Sequence, residues 1–417
     1  MRAFASVGIV ALSLGSLTIL TACEKRTTET KAPDAPVVDK AATDTAPTKT
    51  GVDVAAAVPT DAILLGEVGS LTGSEATFGQ STANGIQMAI DEVNGKGGVK
   101  LADGTTKKLA VRVYDDQGKP EEAANAVTRL INQDKVKVIL GEVASSNSLA
   151  MAPKAQAAQI PMITPSSTNP KVTEVGDYIS RVCFIDPFQG FVMAKFADET
   201  LKAKKVAVLK DNKSDYSLGL SQFFVEEFKK RGGAIVAEEA YSKGDTDFRA
   251  QLTAIKGKKP EAIYVPGYYN DVGVIARQAR ELGIKAPLLG GDGWESEKLY
   301  ELGGAAIEGS YYTNHYSAED PNPRIQEFIT RYKAGFGGAM PDSLAALGYD
   351  AAMVAIAAMG RAKDQSGPAL KDEINKTKDH PGIAGSITLN DKRDAVKPAV
   401  VLQVKGNKSV YVATVSP

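Results

Sequence analysis

The sequence predicts an α/β protein made of two parallel-sheet lobes of Rossmann-like plan. Three observations lead there. At 417 residues the chain exceeds one ordinary core and suits two domains of common size. Short β-branched runs alternate with longer stretches of helical period, the pattern of parallel strands covered by helices. That alternation completes itself once by about residue 182 and starts again near residue 188.

The N-terminal segment comes first. Between Arg2 and Glu24 no residue is charged, and "FASVGIVALSLGSLTIL" is apolar enough for a signal-peptide core or a membrane span. "LTAC" (20–23) sets small residues before Cys23 and resembles the bacterial lipobox. In that signal the peptide, here 1–22, is removed and Cys23 becomes the lipidated first residue; a retained helical anchor is the alternative. Either reading exports residue 24 onward. Residues 24–60 hold six acids, five bases, four prolines and no aromatic residue. So little apolar surface cannot offset the entropy of ordering, and 23–60 is expected to be a lipidated cysteine with a disordered tether.

The folded body is expected from Asp61. "AILLGEV" (62–68), "KLAVRVYD" (108–115), "KVKVILGE" (135–142) and "IPMIT" (160–164) predict strands, and the segments between them predict helices. After a helix near 188–202, "KKVAVLKD", "AIVAEEAY", "EAIYVPG", "KAPLLGG" and "EGSYYTNHY" predict the strands of the second lobe. "AALGYDAAMVAIAAMG" is interrupted by Asp350 and predicts a buried helix rather than a membrane span. "GSITLND" and "AVVLQVKGNKSVYVATV" predict further strands that complete the two lobes.

Composition narrows the function. Forty-three per cent hydrophobic and 24 per cent charged residues describe a soluble globular body. A net charge of −1 provides no attraction for nucleic acid. The two histidines, His315 and His380, supply little for imidazole catalysis. No catalytic residue, metal ligand set or cofactor is predicted, and neither a phosphate loop nor a G-x-S-x-G elbow occurs at a suitable place.

Ligands of open α/β sheets bind beyond the carboxyl ends of the strands. "GSLTG" (69–73), "GEVASSN" (141–147), "TPSSTNP" (164–170) and "GGDGWES" (290–296) fall there. The first three carry hydroxyls and permissive glycines beside backbone N–H groups, which favour an anion. Ser145, Ser146 and Thr168 fit two readings, as caps of their own helices or as a shared ligand site. Asp292 fits an Asx-turn or an acceptor for an ammonium. Tyr216 and Tyr268 follow second-lobe strands, as ligand contacts or as packing tyrosines. Phe78 and Trp294 can wall an apolar pocket or fill a core. Hydroxyls on one lobe and a carboxylate on the other suit a zwitterion.

From 61 to 417 the chain resembles the type I periplasmic solute-binding proteins of ABC importers, in the leucine/isoleucine/valine-binding branch. The matching phrases are "GSLTGSEATFGQSTANGIQMAIDEVNGKGG", "YDDQGKPEEAANAV", "ITPSSTNP", "GYYNDVGVIARQARELG" and "GGDGW". The resemblance implies a two-lobed clamp joined by a three-strand hinge near 183–186, 313–316 and 395–399. One lobe would comprise 61–183 plus 315–396, the other 184–314 plus 397–417. It implies that Ser145 and Thr168, with Ser166, hold a ligand carboxylate, that Asp292 receives the α-amino group, and that Tyr216, Tyr268 and Phe78 line the cleft. Ala144, Gly293 and Trp294 complete the implied ligand set. Two departures stand out: branched-chain-specific members generally carry Glu at the Asp292 position, and their disulfide between the "YDD" and "SS" loops falls here on Gly118 and Ala144, which leaves Cys183 a lone buried thiol.

The implied function is amino-acid binding for an ABC permease by a monomer, exported and lipid-anchored to a membrane at Cys23. The same clamp also suits a neutral amide, a urea-like compound or a short peptide, or ligand sensing rather than transport; a serine hydrolase is the enzymatic rival.

Overall fold

In the computed structural model, which describes residues 61–417, the strands gather into two large sheets. The segments read as signal peptide, lipidated Cys23 and tether lie outside the described residues. The first sheet runs Leu109–Asp115, Ile63–Gly69, Ile139–Leu140, Met162–Thr164, Ile179–Arg181, and every pairing in it is parallel. Its strands are near-continuous apolar runs because helices cover both faces. On one face Leu65 packs with Ile86 of helix Ala76–Gly95 and Ala345 of helix Ser343–Arg361. On the other, Val68 packs with Val127 of helix Pro120–Arg129 and Ala155 of helix Ser145–Ala158.

The helices Ala76–Gly95 and Ser343–Arg361 meet almost backbone to backbone. A Cβ on Gly85 would lie 2.0 Å from the Ala345 carbonyl oxygen, and one on Gly348 would lie 2.5 Å from that of Thr82. Only glycine permits this approach. Helix Ser343–Arg361 is the one described helix long and apolar enough to cross a membrane, yet 83% of its apolar window is buried inside the protein. Its internal acid, Asp350, accepts the backbone N–H groups of Ile383 (2.6 Å) and Ala384 (2.9 Å).

The second sheet runs Ala234–Tyr241, Lys205–Asp211, Ala262–Tyr264, Leu288–Gly290, Tyr311–Asn314, Ala399–Val404, Ser409–Val415. Its first five strands are parallel and repeat the order of the first sheet. The last two are antiparallel, so this sheet is mixed rather than wholly parallel. The chain enters Ala399–Val404 from the first half against the strand direction and returns through a short hairpin, which needs no crossover helix. The "GSITLND" stretch joins neither large sheet: Gly385–Ile387 pairs only with His380–Gly382.

The chain passes between the two halves after Arg181, after Asn314 and before Ala399. Two side-chain contacts fasten these passages. Arg181, fully buried, pairs with Asp394 at 2.6 Å, and Phe184 stacks on His315 with ring centroids 3.9 Å apart. Cys183 is buried between them, its thiol pushed up to about 12 by burial.

Candidate ligand-binding site

Both sheets reverse their strand order beside the first strand, so the loops leaving their carboxyl ends form a crevice on each. The crevices face each other across a small shared cavity. Phe78, Val143, Ser166 and Leu344 line it from the first half, and Tyr216, Tyr268, Asp292 and Gly293 from the second. Six of the ten ligand residues expected from the sequence are therefore on its wall. Ala144, Ser145, Thr168 and Trp294 are not.

Asp292 opens the short 3₁₀ turn Asp292–Trp294 after strand Leu288–Gly290 and is 6% exposed. An ionised carboxylate so far from water needs donors. Tyr216 gives its hydroxyl proton to Oδ1 (2.9 Å), Gln189 donates its amide to the same oxygen (3.0 Å), and His315 Nε2 lies 2.9 Å from Oδ2. Tyr216 also accepts the Gly293 N–H (3.1 Å) and stacks flat on Tyr268, centroids 5.2 Å apart. Phe78 meets Tyr268 edge to face at 5.5 Å. Burial, then the Asp292 charge, pushes the Tyr216 hydroxyl far up, so it stays a donor. Trp294, in the same turn, faces the other way. It is fully buried, with its indole N–H on the Val265 carbonyl (2.9 Å) and its ring beside Tyr312. It packs the second core and does not wall the cavity.

On the first half, the Ser166 hydroxyl is buried with no hydrogen-bond partner among the described residues. The Thr168 hydroxyl lies against the Asp186 carboxyl, whose pKa burial raises to about 8. Ser145 Oγ accepts the Asn169 N–H at 3.4 Å. Ala144, named in the implied ligand set, donates its N–H to Glu142. Ser146 does not cap its helix: its hydroxyl donates to Asp215 Oδ2 (2.9 Å) and accepts the Asp215 N–H (3.0 Å). This rim also holds acids that hydroxyl counting overlooks. Burial first, and the neighbouring Asp116 next, push Glu142 well above the usual carboxylate range.

Residues 62–409 match the periplasmic binding protein family. The chain belongs to that family. The two-sheet body of this binding protein is the type I fold. It is 31% identical over 354 residues to an amino acid binding protein of Pseudomonas aeruginosa, covering 84% of this chain and 91% of the relative. The leucine binding protein LivK of Thermotoga maritima superposes with a TM-score of 0.81 at 41% identity, covering 85% of this chain and 99% of LivK. The substrate binding protein LivJ of Streptococcus pneumoniae, solved in complex with isoleucine, gives 0.79 at 35% identity, covering 85% and 100%.

The halves of the binding protein touch around the cavity. Lys243 reaches Glu75 (2.8 Å) and the Gly118 carbonyl (2.9 Å). The Tyr269 hydroxyl donates to the Ser74 carbonyl (2.8 Å), and Ser296 bonds Thr77 (3.1 Å). Glu295 accepts the N–H of Ser343 (2.9 Å) and also its hydroxyl. Behind the first rim, Asn147 donates to Asp116 Oδ2 (2.8 Å), tying the two loops to which the resemblance assigns a disulfide in similar proteins.

Gln189, His315, Val143 and Leu344 are the site residues that sequence reasoning missed. His315 directly follows the carboxyl end of strand Tyr311–Asn314, the criterion that singled out the other loops. In the sequence its imidazole reads as catalytic material and not as a partner for a carboxylate.

Proposed function

We propose that this binding protein is the lipid-tethered, extracytoplasmic receptor of an ABC importer and that it binds a free aliphatic amino acid, branched-chain in type. The observation that carries this reading is a pair of opposed polar groups on a largely apolar and aromatic wall: the Asp292 carboxylate on one side and, on the other, the Ser166 hydroxyl, which has no partner among the described residues. An amino acid offers an ammonium to the first and a carboxylate to the second, with its side chain among Phe78, Val143, Tyr268 and Leu344. A neutral amide gives Asp292 no cation. The leucine and isoleucine named for LivK and LivJ agree.

In this reading the halves 61–183 plus 315–396 and 184–314 plus 397–417 are hinged lobes that turn on the three passages. The bonds between them correspond to the closed clamp, a population that ligand contacts from both sides favour. Thr168 and Ser145 serve the ligand carboxylate by fixing the loop that presents Ser166. "LTAC" supports a tether at Cys23, and a monomer would deliver the ligand to permease subunits in the membrane.

Titration calorimetry with leucine, isoleucine, valine, isobutyramide and a leucyl dipeptide tests the ligand class. The free amino acids are expected to bind and the others not; amide binding as tight as leucine's would overturn the reading. Asp292→Ala should weaken leucine by about 30-fold or more, the scale of an ammonium left buried without its partner.

A further inference from the structure

Asp292 is expected to face the ligand ammonium, yet in this structure it is already heavily engaged. An ionised carboxylate offers about four acceptor positions. Gln189 and Tyr216 occupy two on Oδ1, and His315 occupies one on Oδ2. One position remains, on the oxygen that His315 holds.

Each donor is itself constrained. Gln189 Oε1 accepts the Asp292 N–H (2.9 Å) and the Thr313 hydroxyl (2.8 Å), which fixes its amide so that Nε2 must face the carboxylate. His315 is 3% exposed, its ring lies on Phe184, and its Nδ1 has no partner among the described residues. A carboxylate accepts only from an N–H, so the proton of the neutral ring is on Nε2. Burial lowers the pKa of this imidazole, against the pull of Asp292, so the ring donates a hydrogen bond without cancelling the carboxylate's charge.

We propose that His315, with Gln189, is a positioning residue for amine recognition: it orients Asp292 so that a single charged acceptor is left for a primary ammonium. This rests on the amino-acid reading above and adds to it a specificity element located on a passage between the halves. The ring belongs to the second passage and stacks on Phe184 of the first, so the acceptor's aim is fastened to the hinge itself rather than to the loop that carries Asp292.

The test compares L-leucine with 4-methylpentanoate, its deaminated analogue, by calorimetry on the intact folded protein. His315→Phe keeps the stacking ring and removes the donor; His315→Gln keeps a donor near the place of Nε2. The ratio of the two dissociation constants is the readout, because a general loosening of the fold weakens both ligands alike. His315→Phe should reduce the wild-type preference for leucine by about tenfold or more, while His315→Gln should keep it within about threefold. A preference unchanged in His315→Phe, or lost equally in both variants, would overturn the role given to His315. A wild type that binds leucine no better than the analogue would instead overturn the amino-acid reading, and this inference with it.

Discussion

Ser166 and Thr168 stand two residues apart in one loop and both hydroxyls are buried without a hydrogen-bond partner among the described residues, yet only Ser166 lines the cavity, while Thr168 lies beside Asp186. Ser166→Ala should therefore weaken leucine by about tenfold, the scale of a lost hydrogen bond to a charged group, and leave the melting temperature of the ligand-free protein unchanged. Calorimetry and a thermal scan check the two halves of that expectation. The cluster of hydroxyls was legible in the sequence; which of them faces inward was not. Strands alternate their side chains with a fixed period, whereas an irregular loop has none. The same limit separated Asp292 from Trp294, neighbours in one turn that point to opposite sides. It also hid Glu142, whose carboxyl folds back on the N–H of Ala144.

Strand and helix positions were read well where periodicity is strong. Strand Lys205–Asp211 and helix Ser343–Arg361 fall where runs of β-branched residues and of small apolar residues predict them. Strand direction was not legible, because no local pattern says that Ala399–Val404 enters its sheet antiparallel. Nor did the sequence reveal Arg181, which sits at the end of a strand and governs a loop. Its guanidinium donates to the carbonyls of Ser167 and Asn169 and pairs with Asp394. One buried cation thus fixes the cavity loop and joins the first passage between the halves to the third. Asp394→Ala strips that cation of its counter-charge. The unfolding free energy measured in urea should fall by about 3–5 kcal/mol.

Across the whole molecule, the junction of Glu295 with helix Ser343–Arg361 makes the joined arrangement sensitive to pH. Glu295 comes from the second half and Asp342, which caps the helix by accepting the Ala345 N–H (2.9 Å), from the first. Both are partly shielded at the rim. Burial first, then the Asp342 charge, pushes Glu295 up to about 8, and burial pushes Asp342 up to about 6. Acids with raised pKa values bind protons more tightly in the folded form. Their contribution is complete below the ordinary carboxylate range and is lost as pH rises through about 6 and then about 8. The melting temperature should fall across that window, and Glu295→Gln should flatten the slope by about one proton.

The hydrogen bond from Asn147 to Asp116 has a broader consequence. Among the described residues no sulfur bridge braces the ligand rim, and the thiol of Cys183 is sealed inside. An amide and a carboxylate do the bracing, and neither responds to oxidants or reductants. The bracing of this rim should therefore be the same in an oxidising compartment and a reducing one, since no disulfide among the described residues takes part in it.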